Sequence, residues 1–170
     1  SIIDGNSDSL NILADNLNLT VTGTIASNEN TLETEISTIS SNGGSLFISE
    51  ADDLIINSIT SSDTVSIDAR NISQNAKINA LDNVILEAQE KLNIGQIEAN
   101  TVTLKASNGI TDINKDENIN IIAENLNIFG VGVSGKSINL DDTRIKELKK
   151  DALNTDVSKV YVANINESKM

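Results

Sequence analysis

Two stretches decide the fold: Asn83-Val84-Ile85-Leu86-Glu87-Ala88 and Thr101-Val102-Thr103-Leu104-Lys105-Ala106. Each carries an apolar doublet with one residue between its members, then an alanine. Side chains in a strand alternate at period two, so both members of a doublet face one way. Working outward, the doublet recurs at nearly constant spacing, at Val65/Ile67, Val84/Leu86, Val102/Leu104, Ile119/Ile121 and Ile138/Leu140. Leu46/Ile48 lies one such step before Val65, and Leu10/Ile12 lies two more steps before Leu46. Strand-type alternation that returns once per coil at a steady period is the mark of stacked β-coils. The pattern predicts an all-β chain, a right-handed parallel β-helix with coils of about 17–19 residues and about seven or eight coils.

Further positions repeat inside each coil. Four residues after the first member comes alanine, at Ala14, Ala69, Ala88, Ala106 and Ala123, with Glu50 as the exception. A small residue there suits an inward position at a tight corner. A second apolar position follows at Leu17, Leu54, Ile72, Leu92, Ile110 and Leu126, and in most coils it has an apolar partner two later, as in Leu19, Ile56, Ile94 and Ile128. A third comes at Ile59, Ile78 and Ile97, with Ile113 near it. Each coil therefore reads as three short strands joined by polar turns. The residue before the doublet is Ser, Thr or Asn (Ser9, Ser45, Thr64, Asn83, Thr101, Asn118, Ser137), able to hydrogen-bond along the stack. Register is lost between Thr20 and Gly44, where Ile25, Leu32 and Ile39 fit a shortened coil loosely.

One coil buries about six Ile, Leu or Val side chains, each contributing roughly 1.5–3 kcal/mol. Ordering each residue costs about 1–2 kcal/mol. A lone coil cannot stand, and stability belongs to the stack.

Composition agrees. The 170 residues contain no proline, so no backbone amide is lost from a ladder. Aromatics are 2% of residues, which suits a narrow interior of stacked aliphatics. The net charge of −13 argues against nucleic-acid binding, which needs clustered Lys and Arg. There is no cysteine, so disulfides and thiolate chemistry are excluded, and no apolar run approaches the ~20 residues of a membrane span. Ser1-Ile2-Ile3-Asp4 reads as the middle of a longer chain.

After Leu140 the character changes. Asp141 to Leu153 has helical periodicity, with Ile145, Leu148 and Ala152 on one face, an N-cap from Asp141, Asp142 or Thr143, and Lys149 and Lys150 near the C-terminal end. Val157 to Ile165 reads as a strand. The expected organisation is a β-helix over residues 1–140 and a helix–strand cap over 141–170, the alternative role of that tail being to dock a partner.

Chemistry-bearing residues are few. Without His or Cys there is no triad and no imidazole. Asp68, Glu87 and Lys105 occupy the same place in successive coils, with Arg70 two beyond Asp68. They could form an active carboxylate row of a polysaccharide-acting enzyme or, as we favour, a charge ladder of opposite signs. Asp52, Asp53, Asp63, Asp82, Asp141 and Asp142 fall at turns, where solvated acids outweigh calcium ligands, since no Gly-Gly-x-Gly-x-Asp repeat or EF-hand loop is present. Gly130-Val131-Gly132-Val133-Ser134-Gly135 does not follow the dinucleotide-binding pattern. Phe47, between inward Leu46 and Ile48, should point outward. No catalytic, cofactor-binding or metal-binding residue is assigned.

The stretches Asn83–Ala88 and Thr101–Ile110 resemble the degenerate repeats of filamentous haemagglutinin-like exoproteins, bacterial adhesins often exported by two-partner secretion. The resemblance covers about Ser9 to Leu140, and other β-helices share its motifs. It implies a shaft on the bacterial surface or secreted from it. Host-cell or matrix surfaces, neighbouring segments of the same chain and an outer-membrane secretion partner would be its contacts, with no catalysis. The family's N-terminal secretion domain carries Asn-Pro motifs that this proline-free chain lacks, so the resemblance places it as an internal or C-terminal segment. The alternatives are a polysaccharide-acting β-helix enzyme and a phage-tail fibre module.

Overall fold

Successive coils lie directly on one another because each first doublet member pairs with the next. The ladder runs Ile2, Ile25, Leu46, Val65, Val84, Val102, Leu126 and Val160, all in parallel register. The computed structural model describes residues 1–113, 120–130 and 155–163, the last of these through its backbone. Among these residues the chain is all-β, a parallel β-solenoid of about five complete turns between Ile2 and Val102, with a further turn begun beyond them. Rungs stack at about 4.8 Å.

The strands are β1 (Ile12–Val21), β2 (Leu32–Gly43), β3 (Leu46–Glu50), β4 (Asp53–Ser61), β5 (Val65–Ala69), β6 (Asn71–Gln74) and β7 (Ile78–Ala80). They continue as β8 (Asn83–Ala88), β9 (Leu92–Ile94), β10 (Ile97–Glu98), β11 (Thr101–Ala106), β12 (Ile110–Asp112), β13 (Ile121–Gly130) and β14 (Thr155–Ala163). Three columns result. β3, β5, β8, β11 and the second half of β13 form the first. The start of β4 with β6, β9 and β12 forms the second. The end of β4 with β7, β10 and the start of β13 forms the third.

The interior is the expected aliphatic column. Val84, Leu86, Leu92, Ile94 and Ile97 are fully buried, and Ala88 is 2% exposed. Ala69, Ala88 and Ala106 stack at one corner. Polar groups at the second corner are satisfied. Gln74 accepts from Gly95 N (3.0 Å) and donates to Gln96 O (2.7 Å), and Asn120 donates to Gly95 O (2.9 Å). The turn hydrogen bonds appear as Ser45 Oγ to Asp63 Oδ2 (2.8 Å) and Asn83 Nδ2 to Thr64 Oγ1 (3.3 Å).

The register differs from the sequence reading at both ends. The chain from Ile2 to Ile12, and again from Ile25 to Thr34, is about twice as long as the equivalent path from Leu46 to Glu50. The first two coils thus carry excursions, residues 3–9 and 26–31, at the place where the third has Phe47. The first doublet begins at Ile2, not Leu10. Ile12 and Ala14 pair with Thr34 and Ile36, and Leu17 and Leu19 fall two positions from the places assigned by periodicity. Ile25, Leu32 and Ile39 do belong to one coil, but its excursion makes it longer than the later coils rather than shortened. Further on, Ile121 pairs with Ile97 in the third column, and the doublet on Val102/Leu104 is Leu126/Ile128. The coil from Val102 to Leu126 is longer than those before it, so a constant period misplaces Ile119/Ile121, Ala123 and Ile113. Ile113 is 39% exposed and outside the third column, and Ile119 lies outside the described residues.

β14 pairs in parallel with β13, from Ile121↔Thr155 to Phe129↔Ala163, so the strand expected over 157–165 adds a rung to the ladder. The helix expected over 141–153 and the doublet Ile138/Leu140 lie outside the described residues. At the end of β2, Gly43 and Gly44 are required by contact. A Cβ on Gly43 would lie 1.8 Å from Val21 O, and one on Gly44 2.3 Å from Gly23 O.

Candidate functional site

The outward side chains of the first column form rows one rung apart. One row is Asn11, Glu33, Ser49, Asp68, Glu87, Lys105 and Phe129, and beside it run Phe47, Ser66, Ile85, Thr103 and Asn127. The expected alignment of Asp68, Glu87 and Lys105 is therefore present, and Phe47 is half-buried on the same face. Asn11 and Glu33 are missed by periodicity because the excursions shift their sequence spacing.

Two of the charges on this face, Glu87 and Lys105, are engaged with each other. Lys105 Nζ pairs with Glu87 Oε1, both side chains nearly half exposed. Such a pair contributes at most about 1 kcal/mol. Arg70 does not serve the row. Its Nη1 lies 3.1 Å from Asp52 Oδ1 and its Nε 2.8 Å from Asp53 Oδ1. The Arg70 hydrogen bond, aided by Asn71, holds the Asp53 carboxyl below its ordinary range. Lys77 likewise pairs with Glu98 on another face.

Asp68 is different. Burial, and then the neighbouring Glu87, push its carboxyl above the ordinary value, with Lys105 opposing. The unfolded chain releases this proton at lower pH than the folded one, so ionised Asp68 lowers stability above that range. Asp68→Asn is expected to stabilise the chain at pH 7 by less than about 1 kcal/mol, since the site is partly solvated. The gain should disappear as pH falls through the ordinary value of 3.8. Chemical melts of both proteins at pH 7 and pH 3 check this. A loss of stability at pH 7 would mean Asp68 makes a favourable contact.

The remaining concavities are shallow and open. One lies at Leu13, Asp15, Glu35, Asp52, Asp53 and Arg70, and another beside Leu81, Glu98 and Glu124. Among the described residues no three Asp or Glu side chains gather into a metal-binding group, and no helix is long and apolar enough to cross a membrane. Asp63 accepts from Ser45 and Asp82 from Asn83, as turn acids do. Asp141 and Asp142 lie outside the described residues.

No family model, curated protein or solved structure matches the chain.

Proposed function

We propose that this chain is a structural and adhesive shaft segment of a secreted or cell-surface bacterial protein, and that it catalyses no reaction. The observation that carries the reading is the way chemistry-bearing side chains are used. Lys105, Arg70 and Lys77 each close an ion pair with an acid one rung away, so their charge is spent on holding neighbouring coils together. A parallel stack whose outer face carries cross-coil ion pairs suits a shaft that projects a surface toward host cells or matrix, or joins further segments of the same chain. A polysaccharide-cleaving site needs a free base and a grip on sugar rings. The first column offers a row whose lysine is paired, and the 170 residues have only Phe47, Phe129 and Tyr161 as aromatics.

Two measurements test this. The chain should leave pectin, alginate and hyaluronan intact, with and without calcium. Beads coated with it should bind host cells or matrix above beads coated with an unrelated protein. Cleavage that is abolished by Asp68→Asn or Glu87→Gln replaces the shaft reading with an enzyme whose carboxylate row is the active site.

A further inference from the structure

The two excursions meet at a group of oxygen-bearing side chains with an unusual electrostatic setting. Asp4 is 5% exposed. Its Oδ1 accepts from Asn6 N (3.0 Å) and from Asn11 Nδ2 (2.6 Å). Asn11 in turn accepts from Glu33 N at its Oδ1 (2.7 Å), which brings the first and second coils together. Glu33 Oε1 accepts from Thr31 Oγ1 (2.8 Å). Asn30 Nδ2 donates to Asp4 O (3.1 Å), tying the second excursion to the first. Each carboxylate is thus oriented through one oxygen. The other oxygens, Asp4 Oδ2 and Glu33 Oε2, are both buried and have no hydrogen-bond partner.

A buried carboxylate oxygen left unpaired is costly. No side chain of these coils can supply the missing positive charge. Residues 1–69 contain eleven Asp and Glu and no Lys or Arg, and the first cationic side chain, Arg70, is held by Asp52 and Asp53. Metal-binding carboxylates are characteristically fixed by hydrogen bonds from the groups behind them, leaving an oxygen for the ion. Here the same arrangement occurs twice, on residues joined by one asparagine. The donors of Asn6 and Asn11 also keep the Asp4 carboxyl ionised, below its ordinary range. All available ligand atoms are oxygens, which suits a hard cation and not a soft one.

We propose that Asp4 and Glu33 bind one hard divalent cation, of the calcium type, between the two N-terminal excursions. The ion would neutralise two carboxylates, each with one buried and unpartnered oxygen, and pin the first coil onto the second. This inference does not depend on the adhesive reading, because a shaft and an enzyme would benefit equally.

The test is calorimetric titration of the full chain with calcium chloride and with magnesium chloride, at constant ionic strength set with sodium chloride. One saturable calcium site is expected, with a dissociation constant of about 10⁻⁴–10⁻³ M, the weak end of the calcium range that suits a site with only two carboxylates, and with a rise in melting temperature that follows its occupancy. Asp4→Asn and Glu33→Gln should each weaken binding at least tenfold. Asp8→Asn and Asp15→Asn, which remove exposed acids of the same coil, should leave it unchanged. If Asp4→Asn does not fold, Glu33→Gln, at a residue only partly buried, carries the comparison. Absence of saturable calcium binding would mean that water fills the site and would overturn the proposal. So would equal weakening by all four variants, which is the signature of general charge screening.

Discussion

Glu50→Ala is expected to destabilise the chain by about 3–5 kcal/mol, although the repeat itself argues for alanine. The equivalent residues of later coils are Ala69, Ala88 and Ala106. A consensus argument would make the substitution harmless or stabilising. The second coil is built differently. β2 runs unbroken around this corner, pairing with β3 as far as Thr34↔Glu50 and with β4 only from Thr38↔Ile55. Between those points Ile36 N has no ladder carbonyl. Glu50, 2% exposed, fills the gap by accepting from Ile36 N (3.1 Å) and Thr34 Oγ1 (2.6 Å) and from Asp52 N (3.1 Å). Alanine would strand two buried donors, each costing about 1–3 kcal/mol, and leave a cavity. Against a total of about 5–15 kcal/mol for a typical domain, this is a large fraction. Glu50→Gln keeps one acceptor oxygen and should cost less. Thr34→Val added to Glu50→Ala should recover about 1–2 kcal/mol by removing one orphaned donor. Urea melts of the four proteins decide the matter, and a Glu50→Ala chain as stable as its parent would show that the repeat alone governs this corner.

Regular coils are legible in sequence and irregular ones are not. From Leu46 to Ala106 the coils are nearly equal in length, so periodicity alone places Val65, Val84 and Val102 on one ladder and buries the residues it should. The parallel β-solenoid follows from that stretch. Nothing local marks where an excursion leaves a coil. Ile2 stands beside Ile3 in polar sequence with no doublet spacing, and Leu32 fits a coil only loosely, so cross-coil pairing is what fixes both as rungs. An apolar pattern of period two also fits as well after a slip of two, since the same face remains inward. For this reason Leu17 and Leu19 are placed two positions out, whereas Leu10/Ile12 and Ile119/Ile121 stand in, on periodicity, for Ile2 and Leu126/Ile128 because the coils there are longer than the period. The Asp68–Glu87–Lys105 row is visible because its coils are regular. The Asp4–Asn11–Glu33 group is hidden because it is assembled by the excursions that break the period. Glu50 shows a third limit. It is visible as an exception to alanine, but the reason for it is a backbone amide in the neighbouring coil, at Ile36.

Ala88→Leu should lower stability by about 1–3 kcal/mol, the usual range for overpacking, while Lys105→Leu should change it by less than about 1 kcal/mol. The two sites are close: Lys105 pairs in register with Glu87, and Ala88 is the next residue. They differ in which face of the sheet they occupy. Ala88 is 2% exposed at the inner corner, with Ala69 on one side and Ala106 on the other, each fully buried. In most folds a neighbour could move aside for a larger side chain. Here the neighbours are copies of the same corner, held by ladder hydrogen bonds at about 4.8 Å, so a shift of one coil must be taken up by the next. The isobutyl side chain that replaces the methyl group is therefore crowded by Ala69 on one side and Ala106 on the other. Lys105 faces solvent, and its replacement removes one half-exposed ion pair. Because each coil is stable only through its neighbours, the damage at Ala88 should spread along the stack and lower the cooperativity of the melt as well as its midpoint. Chemical melts followed by circular dichroism measure both quantities. Equal midpoints for the two variants would mean that the alanine corner has room, and that small residues recur there for the path of the turn instead of the packing of the core.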